Sequence, residues 1–488
     1  MKNIFKKALP LALAVVVLTG CEKEYLDTSP ASQVPNEQVF ATTAGATVAL
    51  NGIYRSMWTS WDGNHDTFGQ KGLDVTMDMM GTDVLTPSRG YGWFVNDYNH
   101  NSISTATATS KSGWAWRYYY RVINNSNLII ANIDKATGDP ARKEYIKGNA
   151  LALRAHSYFY LINLFQHTYK GHENAPGVPL YTEPTTVGKG RGTVQEVYNQ
   201  IIADLTEAER LLEGKTKDHV SHINAATAKG IHARVALQME DYPKAAQKAR
   251  EARQGYTPMT AANYQAGFGR PNSEWMWGLE IPNDQATIYA SFFSHMANTA
   301  AGYAGLGSQK IVLKDLYDAM SATDARKALV FAPVADNKGT YPNYSSLKFR
   351  LPVTGSWAAD YVMMRAGEMY LIEAEALART GDAQAATVLE TFIKTRDANY
   401  TIPTTRTLLE EILLQRRIEL WGEGFSLLDL KRLNKKLVRP TGSPANGLHL
   451  ASLAVVTERD ITDPKILFRI PQDEIDTNDE IDAADQNP

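Results

Sequence analysis

The chain is nearly without thiols: its 488 residues hold one cysteine, Cys21. A lone cysteine closes no internal disulfide and shares no metal with a second thiol, which excludes a disulfide-stapled fold and cysteine-rich zinc sites. Charge of one sign is equally scarce. Fifty Lys and Arg stand against 53 Asp and Glu, a net charge of −3, so the chain carries no electrostatic footprint for nucleic acid and no such partner is expected. After residue 20 no apolar run is long enough to span a bilayer. The HExxH pair, the P-loop and the GxSxG elbow are all missing, which removes the commonest zinc-hydrolase, nucleotide and serine-hydrolase signatures.

What is present begins at the first residues. Lys2, Lys6 and Lys7 form a basic start, and Ala8 to Thr19 form an apolar stretch too short to cross roughly 30 Å of hydrocarbon, the make-up of a secretory signal over residues 1–20. Leu18-Thr19-Gly20-Cys21 resembles the lipobox of bacterial lipoproteins, whose cysteine is acylated and becomes the new N-terminus. Lipidation of Cys21 is therefore expected, several acyl chains holding the protein on a membrane at roughly 0.8 kcal/mol per buried methylene. Residues 21–42, polar and rich in Pro, Ser and Thr, read as a spacer, and 43–488 as a single domain.

Helical periodicity starts in "ATVALNGIYRSMW", with Val48, Ile53 and Tyr54 near helical spacing. About residues 58–111 and 257–350 the periodicity dissolves into Gly, Asn, Asp and aromatics; both read as long structured insertions, because dense aromatics argue against disorder. Helices are predicted over 114–133, 142–166 and 193–212. In the last, Thr193 and Glu196 form a capping box and Val194, Val197, Ile201, Leu205, Ala208 and Leu212 an apolar stripe. Stretches from Ala233 and from Ala374 each predict a helix, a short Asp-containing turn and a second helix with small residues, the packing logic of tetratricopeptide repeats. Thr407 and Glu410 cap a further helix, broken at Gly422 and Gly424 and resumed by "SLLDLKRL". In "NSEWMWGLEI", Trp275 and Trp277 alternate as in a strand packing one face inward. The expected fold is mainly α: a tetratricopeptide-like helical-hairpin scaffold with a large loop-rich face and a few short strands.

Catalytic candidates are few. His219 and His222, and His167 and His172, have no further ligand at tetrahedral spacing and read as surface or capping histidines, so no metal is expected. Glu419 and Glu423 stand on adjacent turns of one helix, side by side rather than across a cleft as a glycosidase's carboxyl pair must. Arg416, Arg417 and Lys431 lie near enough to pair with them. Neither catalysis nor a cofactor is expected. The rings of the insertions remain. A flat ring can cover the C–H face of a sugar, and one stacked ring burying about 80 Å² contributes roughly 2 kcal/mol. Micromolar binding needs roughly 8 kcal/mol, so two or three rings with several hydrogen bonds are required.

The Cys21 segment followed by "EKEYLDTSP", then "ALNGIY", "LRAHSYFYLINLF", "GVPL", "DAR", "MMRAGEMYLIEAEAL", "RRIELWGEGFSLLDLKRL" and "FRIPQDEI…DQNP" resembles, in that order, the SusD/RagB family of Bacteroidetes nutrient-uptake lipoproteins. The resemblance implies a glycan- or nutrient-capturing lipoprotein. It would be anchored at the outer face of the outer membrane and seated over a SusC-like, TonB-dependent β-barrel transporter. Glu22 and Glu24 resemble the export signal of such lipoproteins. From the family's starch-binding members, "DVLTPSRGYGWFVNDY" is expected to hold ligand through Trp93 and Asn96, with Arg89, Tyr91 and Asp83 behind them; Tyr289 and Tyr303 are added from the second insertion. Gln415 stands where the family carries an acid and Ser426 where it carries an Arg, which puts a local salt-bridge network in question; no "GY" follows the final "QNP", and none of the three departures bears on the binding face. A peptide-binding member and a lipoprotein glycoside hydrolase remain the alternatives.

Overall fold

The computed structural model describes residues 36–333 and 341–488. Cys21, the 1–20 signal and residues 21–35 of the spacer lie outside the described residues. The packed chain starts ahead of the expected residue 43, with a short helix at Asn36–Val39 and a buried Phe40. No helix among the described residues is long and apolar enough to cross a membrane.

The scaffold is a succession of helices: α1 (Thr43–Ser56), α2 (Gln70–Met80), α3 (Lys111–Asn132), α4 (Pro140–Phe165), α5 (Val194–Leu212), α6 (Ala225–Gln238), α7 (Tyr242–Ala252), α8 (Ala366–Arg379), α9 (Gln384–Ile393), α10 (Leu408–Glu419) and α11 (Ser426–Arg432), with each of α3 to α9 packed on the next, α1 against α3 and α4, and α2 against α11. The capping boxes at Thr193 and Thr407 are both formed, and the stripe read along α5 is buried from Val194 to Leu212. In α1 the buried face is Ala46, Leu50, Ile53 and Tyr54, whereas Val48 is 71% exposed; a one-residue displacement along a helix turns a side chain about 100° away from the core. Two hairpins, α6–α7 and α8–α9, correspond to the stretches from Ala233 and Ala374. Buried Ala245, Ala249 and Ala252 let α7 lie directly against α8, so the second insertion loops out from between neighbours.

Four two-stranded antiparallel ribbons complete the fold: β1 (Val84–Leu85) with β5 (Ile311–Val312), β2 (Pro176–Pro179) with β3 (Arg191–Thr193), β4 (Trp275–Leu279) with β6 (Tyr361–Arg365), and β7 (Leu437–Val438) with β8 (Glu458–Arg459). All five residues of β4 are buried, so Trp275 and Trp277 are covered on both faces of the strand rather than on one.

α2 lies inside the stretch read as loop. Every one of its residues is buried, including the polar Gln70, Asp74 and Asp78 that recur every fourth residue along one side. Its charges are satisfied internally: Lys71 pairs with Asp74 at 2.9 Å, and Asp78 accepts the backbone N–H groups of Gly424 and Ser426. Gly424, at φ +94°, passes so close to α2 that a Cβ would sit 2.6 Å from that of Asp74; this contact requires the glycine and breaks the helix between α10 and α11.

Glu419 and Glu423 are in salt bridges, but not with the cations next to them in sequence. Arg416 pairs with Asp429, Arg417 with Asp83, and Lys431 donates to the carbonyls of Asn163 and Gln166. Glu419 instead takes Arg365 at 2.6 Å, Arg396 at 2.9 Å and Arg326 at 3.2 Å, while Glu423 takes Arg365 at 2.7 Å and Lys348 at 2.5 Å. Glu274 bridges Arg365 and Arg396, and Asp324 chelates Arg326. Buried cations and carboxylates are therefore equal in number, and Gln415 joins by accepting from Arg326 at 2.7 Å. The cluster gathers the exit of α10, both roots of the second insertion and the segment after α9.

The last turn of α4 leaves carbonyls without intrahelical donors. Remote segments supply them: Phe468 N–H donates to Leu164, the Asn487 side chain to Phe165, and Lys431 to Asn163, a cation placed favourably at a helix C-terminus. Arg191 grips the Asp485 carbonyl at 2.7 Å and holds this tail in place.

Candidate functional site

The ribbon β1–β5 joins the two insertions, Val84 opposite Val312 and Leu85 opposite Ile311. Beyond it the first insertion climbs along the second. The Ser88 hydroxyl donates to the Gly307 carbonyl, and Gly90, at φ +49°, crosses Ser308 where a Cβ would sit 1.8 Å from its Oγ. The chain then turns with Gly92 at φ +88° and Phe94 at φ +61°. A left-handed phenylalanine is strained and persists where packing fixes it; Phe94 is buried edge-on against His295 at 4.9 Å. Between these two left-handed residues the backbone presents Trp93.

Five rings meet there. Tyr303 lies 5.1 Å from Tyr91, 5.2 Å from Tyr289, 5.8 Å from His65 and 5.9 Å from Trp93, and His65 stacks on Tyr289 within 10° of parallel. The cluster is graded in depth: Tyr303 is 7% exposed, Tyr289 43% and Tyr91 65%. Its floor is fixed by polar contacts. His65 Nδ1 meets the Tyr303 hydroxyl at 2.5 Å, and His295, stacked 5.0 Å beneath Tyr303, places Nε2 2.7 Å from the His65 carbonyl oxygen.

Beside the rings opens a polar cavity of about 480 Å³, bordered by Arg89, Tyr91, Trp93 and Asn96 and lined further in by Asn64, Asn101, Ser102 and the Thr105–Ser110 loop. At its base Lys111 pairs with Asp66 at 2.8 Å and stands 3.9 Å from Asp97. Burial raises the Asp97 carboxyl despite the pull of Lys111; Asp66, against its own burial, is held below the usual carboxylate range by that ammonium. The arrangement offers flat apolar surfaces next to amide, hydroxyl and guanidinium groups, with no nucleophile–base pair among them.

Of the residues singled out in the sequence, Arg89, Tyr91, Trp93 and Asn96 share this cavity, and Tyr303 with Tyr289 meets the rings at its edge from the second insertion. Asp83 does not. It is buried at the foot of the first insertion, bidentate to Arg417 at 2.5 and 3.0 Å, and its carbonyl accepts the Trp421 indole N–H at 2.8 Å. His65 and His295 carried no sequence signal, since nothing in "GNHDT" or "FFSHM" marks them as neighbours 230 residues apart. Of the paired histidines, His222 differs from expectation, being buried between Tyr145 and Asn51, while His219 is exposed as read and bonds Glu280 at 2.5 Å. No group of three or more His, Cys, Asp or Glu disposed for a metal occurs among the described residues.

Comparison with known proteins bears on this geometry. Residues 24–237 match a SusD-like family described as starch-binding and associating with the outer membrane, and residues 335–488 match the SusD family. SusD-like protein P2 of Formosa agariphila is 23% identical over 475 residues, covering 88% of this chain and 90% of that protein. A SusD-like carbohydrate binding protein from Bacteroides vulgatus has a TM-score of 0.79 at 30% identity, covering 92% of this chain and 98% of the other. A SusD superfamily protein from Bacteroides thetaiotaomicron has a TM-score of 0.78 at 27% identity, covering 92% and 100%. A laminarin binding SusD-like protein, TM-score 0.70 at 21% identity over 92% and 99% of the two chains, shares the fold. With the helical hairpins, the two insertions and the order of the sequence blocks all in agreement, the chain belongs to the SusD family.

Proposed function

We propose that the protein is a non-catalytic, cell-surface binding protein that captures an oligosaccharide on the Tyr91–Trp93–Tyr289–Tyr303 platform and passes it to a SusC-like TonB-dependent transporter. The observation that carries this reading is the convergence of rings from both insertions at the edge of a polar cavity, with Tyr91 and Tyr289 exposed. Two or three rings supply the several kcal/mol that one ring cannot, and Arg89 and Asn96 stand where sugar hydroxyls need partners. Glu419 and Glu423, the one carboxylate pair whose spacing invites comparison with a glycosidase, are consumed by arginines.

Titration of the purified protein against a panel of polysaccharides and peptides tests the reading. A glycan is expected to bind without new reducing ends appearing, and Trp93→Ala or Tyr289→Ala should each weaken it about tenfold or more, the value of one stacked ring. Release of sugar would favour the hydrolase, and binding of peptides alone the peptide-capturing alternative. Undiminished glycan affinity in both variants would move the site elsewhere. The anchor is tested separately: Cys21→Ser should no longer incorporate radiolabelled fatty acid and should leave the membrane fraction, and a variant that stays there would overturn the lipidated reading.

A further inference from the structure

A second cleft, of about 450 Å³, opens along α3, between that helix, the 181–188 loop that joins β2 to β3, and the short helix Gln472–Thr477. Its inner wall is aromatic: Trp116 lies 4.8 Å from Tyr120, and Tyr120 meets Tyr181 edge-on at 5.7 Å, both tyrosines half-buried. Their polar ends are already engaged. The Trp116 indole donates to Glu474 at 3.2 Å, the Tyr120 hydroxyl donates to the Pro179 carbonyl at 2.8 Å, and the Tyr181 hydroxyl accepts the Lys189 N–H at 3.1 Å. What this wall offers is ring surface at fixed positions. The rim is polar and open: Arg121, Asn124, Glu183 and Thr186 are exposed, and none of their side chains has a hydrogen bond or an ion pair among the described residues. One cation faces one carboxylate there, so the cleft suits a neutral molecule with many hydroxyls and a flat apolar face.

The cleft borders the polar cavity of the ring platform. Residues 61–64 run from one to the other: Arg121 lies 3.9 Å from the Trp61 ring, Arg117 pairs with Asp62 at 2.7 Å, and Asn64 lines the cavity. Arg117 also donates at 2.7 Å to the carbonyl of Ala108, in the loop that lines the cavity. The Arg117 and Asp62 side chains are 38% and 31% exposed, so this bridge is a solvent-facing saddle. Along α3 the path from Lys111, at the base of the cavity, is about 9 Å to Arg117 and about 20 Å to Asn124, a span for several sugar units and not for one.

We propose that the cleft is a second subsite for the captured oligosaccharide, whose chain crosses the Arg117–Asp62 saddle and lays further neutral sugar units against Tyr120 and Tyr181, with Arg121, Asn124 and Glu183 holding hydroxyls. This rests on glycan capture at the platform and adds to it a preference for long, uncharged chains.

Calorimetric titration with the tri- and heptasaccharides of the malto-, laminari-, xylo- and cello-oligosaccharide series separates subsite from platform. In a series that binds, the heptasaccharide is expected to bind about tenfold or more tighter than the trisaccharide, the value of one further ring. The double variant Arg121→Ala/Asn124→Ala, at two exposed positions, should return the heptasaccharide to the affinity of the trisaccharide while circular dichroism stays as in the wild type. Glu183→Ala should shrink the same gain from the opposite rim, whereas Trp93→Ala should weaken both lengths. Equal affinity for the two lengths in the wild type would overturn the subsite and leave the platform standing. So would a gain that survives the cleft variants, the result expected if the cleft docks a protein instead. No binding in any series would overturn both.

Discussion

Glu419→Ala is expected to cost about 3–5 kcal/mol, enough to unfold the protein or to shift its denaturation midpoint drastically, because a domain's whole stability is about 5–15 kcal/mol. Glu419 is fully buried and is the one carboxylate that contacts Arg326, Arg365 and Arg396 together. Removing it leaves an uncompensated positive charge in a cluster that is otherwise balanced. Burial alone would raise its pKa; the three guanidinium groups reverse that and hold the carboxyl far below its ordinary range. Glu419→Gln keeps the volume and loses the charge, so it should fall between wild type and alanine. The surface pair Lys436–Glu458, more than half exposed on both sides, is the control: breaking it should change stability by less than about 1 kcal/mol. Urea unfolding followed by circular dichroism reads all three, and a Glu419→Ala protein within about 1 kcal/mol of wild type would show that the cluster contributes no net stability. Since the same cluster fastens the roots of the second insertion, partial destabilisation should also loosen Tyr289 and Tyr303 before the hairpins melt.

The second large effect is on acid. Burial pushes His100, His156, His295 and His449 each down to about 3, and the Arg439 guanidinium adds to the shift at His100 and His449. Three of them aim Nε2 at a backbone carbonyl: Met80 for His100, His65 for His295 and Thr82 for His449. The unfolded chain takes up a proton on each below about pH 6.5 while the folded chain does not, so the stability they support is complete above that pH and is lost as pH falls toward 3. Each then removes about 1.4 kcal/mol per pH unit. Asp78 opposes them: burial raises it to about 7, so the folded state holds its proton first and gains as pH drops from 7 toward 4. The balance is a loss of about 4 kcal/mol per unit below pH 6, which exhausts a typical domain's stability between about pH 5 and 3. Glu423, held at about 2, adds its own loss only below the ordinary glutamate range. A titration monitored by far-UV circular dichroism should show unfolding well under way by about pH 4.5, and a protein still fully native at about pH 3.5 would contradict the histidine account.

The scaffold was legible where local chemistry is self-sufficient. Thr193 with Glu196, Thr407 with Glu410, and the glycines at 422 and 424 act within a few residues, and the structure has them as read. Long-range pairing was not legible. Glu419 passes over Arg416 and Arg417, one turn away, for arginines 23 to 93 residues distant, because tertiary approach decides which cation arrives with its solvent already stripped. α2 was missed because its Gln, Lys, Gly and Asp residues, set among Gly- and Asp-rich neighbours, read as a solvated loop, whereas the structure buries all of them. At the candidate site, the aromatic density around Tyr91 and Trp93 marked a loop that the structure brings to the polar cavity, but spacing could not separate Asp83, spent at its foot, from Asn96, exposed at the cavity. The second insertion lies largely between the two stretches that match the family, 24–237 and 335–488, so Tyr289 and Tyr303 rested on composition alone.

The end of α4 links remote parts of the chain through time as well as space. Phe165 waits for Asn487, which is 322 residues further on, and Leu164 for Phe468. A ribosome delivers the chain from its amino end, so the helix emerges long before the groups that finish it. Until residue 487 is released, those carbonyls must stay wet and that seam of the scaffold open, which makes even a short deletion near the tail a defect at the heart of the fold.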